Sequence, residues 1–307
     1  MHICAEILMP TYNGAQYLRA QLDSLLAQSD TRWHLTVSDD GSTDNTPAIL
    51  QEYATAHPDK IAIYRSGRRF GNARDHFFHL FEASTADYVL FCDQDDVWHA
   101  DKVQKTLNAL LKAEEQYGVD TPLLIFTDLT PVNAQLQPLA PSLMQYQKQY
   151  TQVIDYRALL IQNVVTGCTV GVNRALRQHA ACPQVQKTLM HDWWLGLVAA
   201  RFGQIVFLNE CTIDYRQHGR NSVGAQDVHS AKHILGKLTH LKALRKTILD
   251  KKQQAQVFLD TYQKALSQQD VAFLRAFSKS RSGPLFYLRH HALIHGFFRL
   301  AGFVILG

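Results

Sequence analysis

Over roughly its first 115 residues the chain alternates four times between a short apolar run and a segment of helical spacing. "ICAEILM" (3–9), "WHLTVS" (33–38), "KIAIYRS" (60–66) and "DYVLFC" (87–92) read as strands. Segments 15–28, 47–56, 72–84 and 100–115 read as helices; in the first, apolar residues recur at 18, 22, 25 and 26. Pro47 suits a first helical turn, and Asp44 or Thr46 can cap it. Such alternation predicts a parallel, doubly wound α/β sheet, since each helix carries the chain back to start the next parallel strand. Sheets of this kind bind ligands beyond the carboxyl ends of their strands.

The second half is less regular. Residues 123–129, 163–173, 204–210 and 212–219 read as strands, and 191–203 as a short helix stopped by Gly203. From about residue 228 the chain turns helical and basic. Residues 1–227 hold 18 Lys+Arg against 24 Asp+Glu, a balance of −6; residues 228–307 hold 13 against 3, a balance of +10. The division expected is an acidic α/β domain over 1–227 and a helical extension over 228–307.

The 307 residues suffice for one large domain with an appendage, and the apolar share of 46% is ordinary for a globular chain. "MHICAEILMP" lacks a basic leader, so a secretion signal is not expected. Five scattered cysteines without CxxC spacing suggest reduced thiols in a cytoplasmic protein rather than disulfides or a zinc site.

Polar motifs fall at the expected strand ends. "VLFCDQDDVW" (89–98) runs from a buried strand into Asp93, Gln94, Asp95 and Asp96. Like charges packed together are unfavourable unless a cation or solvent relieves them. Hard oxygen ligands of this type suit Mg²⁺ or Mn²⁺ holding a diphosphate; the alternative is a solvated acidic turn before the next helix. In "VSDDGSTDNT" (37–46), Asp39 can accept from a base N–H or a ribose hydroxyl, or can close an Asx-turn. Arg74, in "GNARDHF" (71–77), is placed for a phosphate or for the acidic cluster, or is a surface arginine.

"MHDWWLG" (190–196) sets Asp192 at a helix start beside His191, Trp193 and Trp194. A carboxylate shielded by indoles has its pKa raised and can act as a general base, while tryptophan stacks on sugars. The alternative is an N-capping aspartate with core aromatics. "DYRQHGRNS" (214–222) offers Arg216, His218 and Arg220 to a diphosphate or a metal, or forms a basic loop. The apolar tail 285–307, with Arg289 and Arg299, is too broken to span a bilayer. It suits a helix at an anionic membrane interface, or packing on its own domain or a second subunit.

In order and spacing, "MPTYNGAQYLRAQLDSLLAQ", "VSDDGSTDNT" and "FCDQDDVW" resemble glycosyltransferase family 2, inverting enzymes of the GT-A fold. The resemblance covers about residues 5–225. "HDWWLGLVAARFGQIVFLNECTIDYRQHGRNSVG" is similar to the bacterial rhamnosyltransferases of surface polysaccharide synthesis. It implies a Rossmann-like, mostly parallel central sheet. Pro10, Thr11, Tyr12, Asn13, Asp39, Asp40, Arg74, Asp93 and Gln94 would then line the nucleotide-sugar pocket. Asp95, with Asp93 and His218, would hold Mg²⁺ or Mn²⁺. Asp192 matches the catalytic base, although His191 stands where the family more often has Glu. Trp193, Trp194, His191 and Arg216 would face the acceptor.

The resemblance implies transfer of a sugar, L-rhamnose among the candidates, from a dTDP- or UDP-linked donor to a glycan or lipid-linked acceptor. The work would be done at the cytoplasmic membrane face, with residues 281–307 on anionic lipid, homodimerisation open and no nucleic acid involved. A nucleotidyltransferase would need a glycine- and lysine-rich phosphate loop near the first strand, which "PTYNGAQY" does not supply. A silent scaffold on the same fold would have no use for an intact Asp95 and Asp192.

Overall fold

The computed structural model describes residues 4–147, 154–218 and 237–279. The predicted alternation is present: β1 (Ala5–Thr11), α1 (Leu18–Leu26), β2 (Trp33–Asp39), α2 (Thr46–Ala56), β3 (Ile61–Ile63), α3 (Ala73–Ala83) and β4 (Tyr88–Phe91). A two-residue strand, β5 (Val97–Trp98), follows the acidic cluster and precedes α4 (Lys102–Tyr117). Then come β6 (Leu123–Val132), two single-turn helices α5 (Leu143–Tyr146) and α6 (Tyr156–Leu159), β7 (Gly171–Asn173), α7 (Arg174–His179), α8 (His191–Phe202) and β8 (Gln204–Arg216). Helices α9 (Lys237–Tyr262) and α10 (Gln268–Lys279) complete the described chain.

The eight strands form one sheet in the order β3-β2-β1-β4-β7-β6-β8-β5. β1 pairs in parallel with β2 and β4, and β2 with β3. β7 runs antiparallel to β4 and β6, while β8 is parallel to β6. Alternation across the pleat divides the core between the two faces. Ala5, Ile7, Met9, Leu90 and Cys92 pack with α1, α2 and α4; Leu8, Val89 and Phe91 pack with α3 and α8.

Three expectations are corrected. Residues 204–210 and 212–219 are not two strands: β8 is continuous and absorbs the break as register shifts against Thr127, Asp128 and Thr130 of β6. Of 163–173 only the last three residues are strand, because Gly167–Thr169 tightens into a 3-10 turn. Neither Asp44 nor Thr46 is the cap residue of α2. Asp44 Oδ1 accepts from Thr46 N at 3.0 Å, and Thr46 Oγ1 accepts from Gly14 N at 2.9 Å, joining the loops after β1 and β2. Gly203 does end α8, since a Cβ there would overlap the Pro122 carbonyl that accepts from Gln204 N.

The described part of the expected extension shares the core of the α/β body. Phe258, Tyr262, Phe273, Leu274 and Phe277 belong to the same apolar cluster as Phe77, Phe91 and Trp194. Gln254 Oε1 accepts from Leu189 N at 2.8 Å, and Lys251 Nζ donates to Ile161 O at 2.6 Å. No helix among the described residues is long and apolar enough to cross a membrane. The interface expected of 281–307 lies outside the described residues.

Candidate active site

The loops after β1, β2 and β4 meet at one sheet edge. Thr11 Oγ1, on the last residue of β1, donates to Asp39 Oδ1 at 3.0 Å. Gly41 N and Ser42 N donate to Asp39 Oδ2 at 3.0 and 2.8 Å, closing the turn through the positive φ of Gly41 (78°). Asn13 is also left-handed (φ 47°), a conformation asparagine tolerates; its Oδ1 accepts from Thr43 N at 2.8 Å. Asp40 is buried, and its two oxygens accept from Phe70 N and Gly71 N at 2.5 and 2.7 Å. It thus fixes the loop before α3 rather than facing a ligand. That loop lays the exposed Arg69 guanidinium over Gly41, where a Cβ would overlap it.

Tyr12, 55% exposed, projects into a cavity of about 1000 Å³ that Asn13, Tyr17, Gln94, Asp95 and His218 also line. Gln94 joins both its amide atoms to the Tyr12 backbone.

The acidic cluster divides differently from the expectation that Asp93, Asp95 and His218 converge. Asp95 Oδ2 and His218 Nε2 pair at 2.7 Å. Asp93 lies instead with Asp96 and the Cys168 thiol, ligand atoms of the three falling within 4.8 Å of one another. The reason is local. Side chains two apart share a face only while the backbone is extended, and the chain bends at Gln94 and Asp95. Asp96 is fully buried; Oδ1 accepts from Arg216 N at 3.0 Å, and Oδ2 has no hydrogen-bond partner among the described residues.

Burial, then the charges of Asp95 and Asp192, lifts Asp93 above the usual carboxylate range, and burial with Asp95 and Asp93 lifts Asp96 well above it. A hard divalent cation would relieve both. Asp93 and Asp96 offer oxygens of the kind such an ion takes, and Asp95 lies close enough for its charge to raise both. Cys168, whose thiol pKa burial drives up, is a poor ligand for it. Lys102, fully buried with its ammonium 4.7 Å from the Trp98 ring centroid, is the nearby opposite charge, its own pKa lowered by burial to about 8.

Asp192 lies in the first turn of α8. Burial raises its pKa to about 7, against hydrogen bonds from Trp193 N, the Asn163 side chain and Gly167 N. Trp193 N donates to Oδ1 at 2.6 Å. Asp192 is one of the charges that raise Asp93, so the two carboxylates lie near one another.

Several expected contacts are corrected. Trp194 is wholly buried, edge-on to Phe258 at 5.6 Å, and cannot stack on a sugar. His191 is buried between Phe77 and Phe91, with centroids 4.0 and 4.8 Å away, and burial lowers its pKa to about 3. It is a neutral core residue, not an acceptor contact. Trp193 is half-buried, its Nε1 donating to Leu159 O. Arg74 pairs with Asp75 and donates through Nη1 to the carbonyls of Gln186 and Thr188 at 3.2 and 2.8 Å, tying α3 to the approach to α8. Arg216, 3% exposed, donates to the carbonyls of Asp95 and Ala134 at 2.8 and 2.6 Å. It braces the acidic loop from beneath.

Sequence reasoning read Asp96 among the clustered carboxylates without naming it a ligand, and missed Tyr17, Arg69, Lys102, Asn163 and Gly167. These last are brought in by the fold from positions with no local pattern.

The mixed, mostly parallel sheet, with acidic and basic groups collected at its carboxyl edge, is that of the GT-A class of glycosyltransferases. Residues 6–180 match the model of Glycosyl transferase family 2, more than half the chain, and the protein belongs to that family and is a glycosyltransferase. It is 29% identical over 258 residues to the dTDP-rhamnosyl transferase RfbG of Shigella flexneri, covering 78% of this chain and 82% of that one. It is 26% identical over 231 residues to the putative teichuronic acid biosynthesis glycosyltransferase TuaG of Bacillus subtilis, covering 74% and 84%.

Among solved structures, S. aureus TarS 1–349 in complex with UDP-GlcNAc superposes with a TM-score of 0.56 at 14% identity, covering 99% of this chain and 90% of that one. The mannosyltransferase PcManGT from Pyrobaculum calidifontis, in complex with GDP-Man and Mn²⁺, gives 0.55 at 15%, covering 98% and 84%. At these identities the likeness bears on the fold. The family match sets aside the nucleotidyltransferase and scaffold readings.

Proposed function

We propose that the protein transfers a sugar, L-rhamnose from a dTDP-linked donor, to a hydroxyl of a surface polysaccharide or its lipid-linked precursor, with inversion. The observation that carries the chemistry is Asp192: a buried carboxylate whose pKa is raised to about 7, beside an acidic cluster at the same sheet edge. The name of the Shigella relative supports rhamnose and dTDP; that of the Bacillus relative supports a cell-surface product.

In this reading Thr11, Asp39 and Arg69 frame the nucleotide and Trp193 borders the acceptor. Asp93, Asp95 and Asp96 would hold Mg²⁺ or Mn²⁺, which when bound supplies charge stabilisation to the leaving diphosphate. Asp192 takes the proton from the acceptor hydroxyl at its carboxylate. That oxygen attacks the anomeric carbon from the face opposite the departing diphosphate, so a single displacement inverts the centre. Seclusion of Asp192 from water keeps its basicity matched to neutral pH. The tail 281–307 would hold the enzyme on anionic lipid at the cytoplasmic membrane face.

Purified protein incubated with dTDP-L-rhamnose, UDP-sugars and Mn²⁺ or Mg²⁺ tests the donor. Release of dTDP with dTDP-rhamnose supports the reading; release with a UDP-sugar alone replaces the sugar and nucleotide assigned. Flotation of full-length protein with anionic vesicles, lost on deleting 281–307, tests the membrane assignment; unchanged flotation refutes it.

A further inference from the structure

Asp95 sits on a bend where no strand pairing fixes its backbone. Four contacts do so in its place, and they close on themselves. His218 Nε2 meets Asp95 Oδ2 at 2.7 Å. The His218 ring stacks on Tyr17 at 4.9 Å with 29° between planes. Tyr17 also carries the Arg216 guanidinium, 4.5 Å from the ring centroid. Arg216 Nε returns to Asp95, donating to its carbonyl at 2.8 Å. Arg216 closes β8 and His218 follows two residues on, and both meet the ring of Tyr17 at the start of α1.

We propose that Tyr17 and Arg216 are positioning residues for Asp95, the Tyr17 ring acting as the spacer that holds His218 against the carboxylate and Arg216 against the carbonyl. The inference rests on the metal reading above and deepens it. A carboxylate ligand is useful to a divalent ion only when its orientation is fixed within a few tenths of an ångström, and outer groups supply that restraint. Here the restraint joins three separate segments. Arg216 also donates its backbone N–H to Asp96 Oδ1 and its Nη1 to Ala134 O, so the ring anchors to the turn after β6 and to the second buried carboxylate. The hydroxyl of Tyr17 has no part in the ring; the aromatic face does. Arg216 is needed as a planar fork, because one ammonium cannot serve two carbonyls and an aromatic face together.

The test uses the full chain with Tyr17→Leu, Tyr17→Phe and Arg216→Lys. Mn²⁺ binding is followed by electron paramagnetic resonance, alone and with dTDP, with melting temperature and the KM–kcat split recorded beside it. Tyr17→Leu and Arg216→Lys are expected to weaken Mn²⁺ binding about tenfold. Tyr17→Phe should stay within about twofold of wild type, since it keeps the ring. Wild-type Mn²⁺ affinity in Tyr17→Leu, which is the variant least exposed to misfolding, overturns the ring while leaving the metal reading intact. Absence of Mn²⁺ binding by the wild type overturns both. Equal loss in Tyr17→Leu and Tyr17→Phe overturns the spacer role and assigns the effect to the hydroxyl.

Discussion

Gln94 and Tyr12 are joined twice, Gln94 Oε1 accepting from Tyr12 N at 2.9 Å and Nε2 donating to Tyr12 O at 3.0 Å. One side chain thus extends the pairing of β1 with β4 past the point where both strands end. Its amide also lies against Gly14, where a Cβ would overlap it. Expected as a nucleotide contact, Gln94 is a clasp between the donor loop and the acidic loop. Gln94→Ala should remove two hydrogen bonds worth about 1 kcal/mol each. Its melting temperature should fall by roughly 4–8 °C at 2–4 °C per kcal/mol. Calorimetric melting checks this, and donor KM should rise while Asp192 remains functional.

Asp192 gives two pH dependences of opposite use. As a base it must be ionised, so transfer should increase with pH through about 7 and level off above it. For stability the sign reverses. The folded pKa is raised from 3.8 to about 7, so folding holds the proton that the unfolded chain releases. Stability is full below the unfolded value and is lost as pH rises through the folded one. Asp192→Asn should therefore melt above wild type at pH 8, the difference vanishing near pH 4. The same variant should lose transfer by about 10²- to 10⁴-fold while still binding dTDP. A melting series across pH and one equilibrium binding measurement check both.

Arg69, not Arg74, is the exposed guanidinium beside the Asp39 turn. Arg74 is held by Asp75 and by the carbonyls of Gln186 and Thr188, whereas Arg69 lies over Gly41 beside the Asp39 turn, without a hydrogen bond or ion pair among the described residues. Arg69→Ala should raise donor KM about tenfold with little change in kcat, as loss of a charge-assisted contact of about 1.5 kcal/mol implies. Arg74→Ala should instead lower kcat, because it frees the segment that leads to Asp192. Steady-state kinetics on both variants separates the cases.

The strand–helix alternation of residues 3–115 was legible because each strand is a short, largely apolar run and the segments between them carry helical spacing. The carboxylates of the candidate site were legible where their placement is local: Asp39, Asp93, Asp95 and Asp192 all stand at the ends of elements the pattern reveals. What escaped depends on long-range placement. Nothing in "GGG"-like or charged spacing marks Tyr17 as a partner of Arg216, 199 positions away, or Lys102 as a buried cation under Asp96. His191 and Trp194 were misread for the converse reason. Aromatic and imidazole groups beside a catalytic carboxylate look alike in sequence whether they line a cleft or fill a core, and helix phase at α8 turns both inward onto Phe77, Phe91 and Phe258.

Asp270 decides how α10 belongs to the body. Tyr156 donates to its Oδ1, Ser267 Oγ to Oδ2 at 2.6 Å, and Arg201 bridges to Oδ2 at 2.8 Å, with Arg157 3.3 Å from Oδ1. Burial alone would raise its pKa; the hydrogen bonds from Ser267, Tyr156 and Arg157, with the charge of Arg201, outweigh burial and hold it at about 2. The folded value is depressed, so this stability is present above the unfolded pKa near 3.8 and is lost as pH falls toward 2. Asp270→Ala should leave Arg157 and Arg201 uncompensated in a largely buried setting and lower stability by about 3 kcal/mol at pH 7. Wild type and variant should converge as pH falls through that window. Urea unfolding at pH 7 and pH 3 measures both arms. A variant as stable as wild type at pH 7 would mean that the apolar contacts of Phe273, Leu274 and Phe277 suffice to hold α10 without its charge.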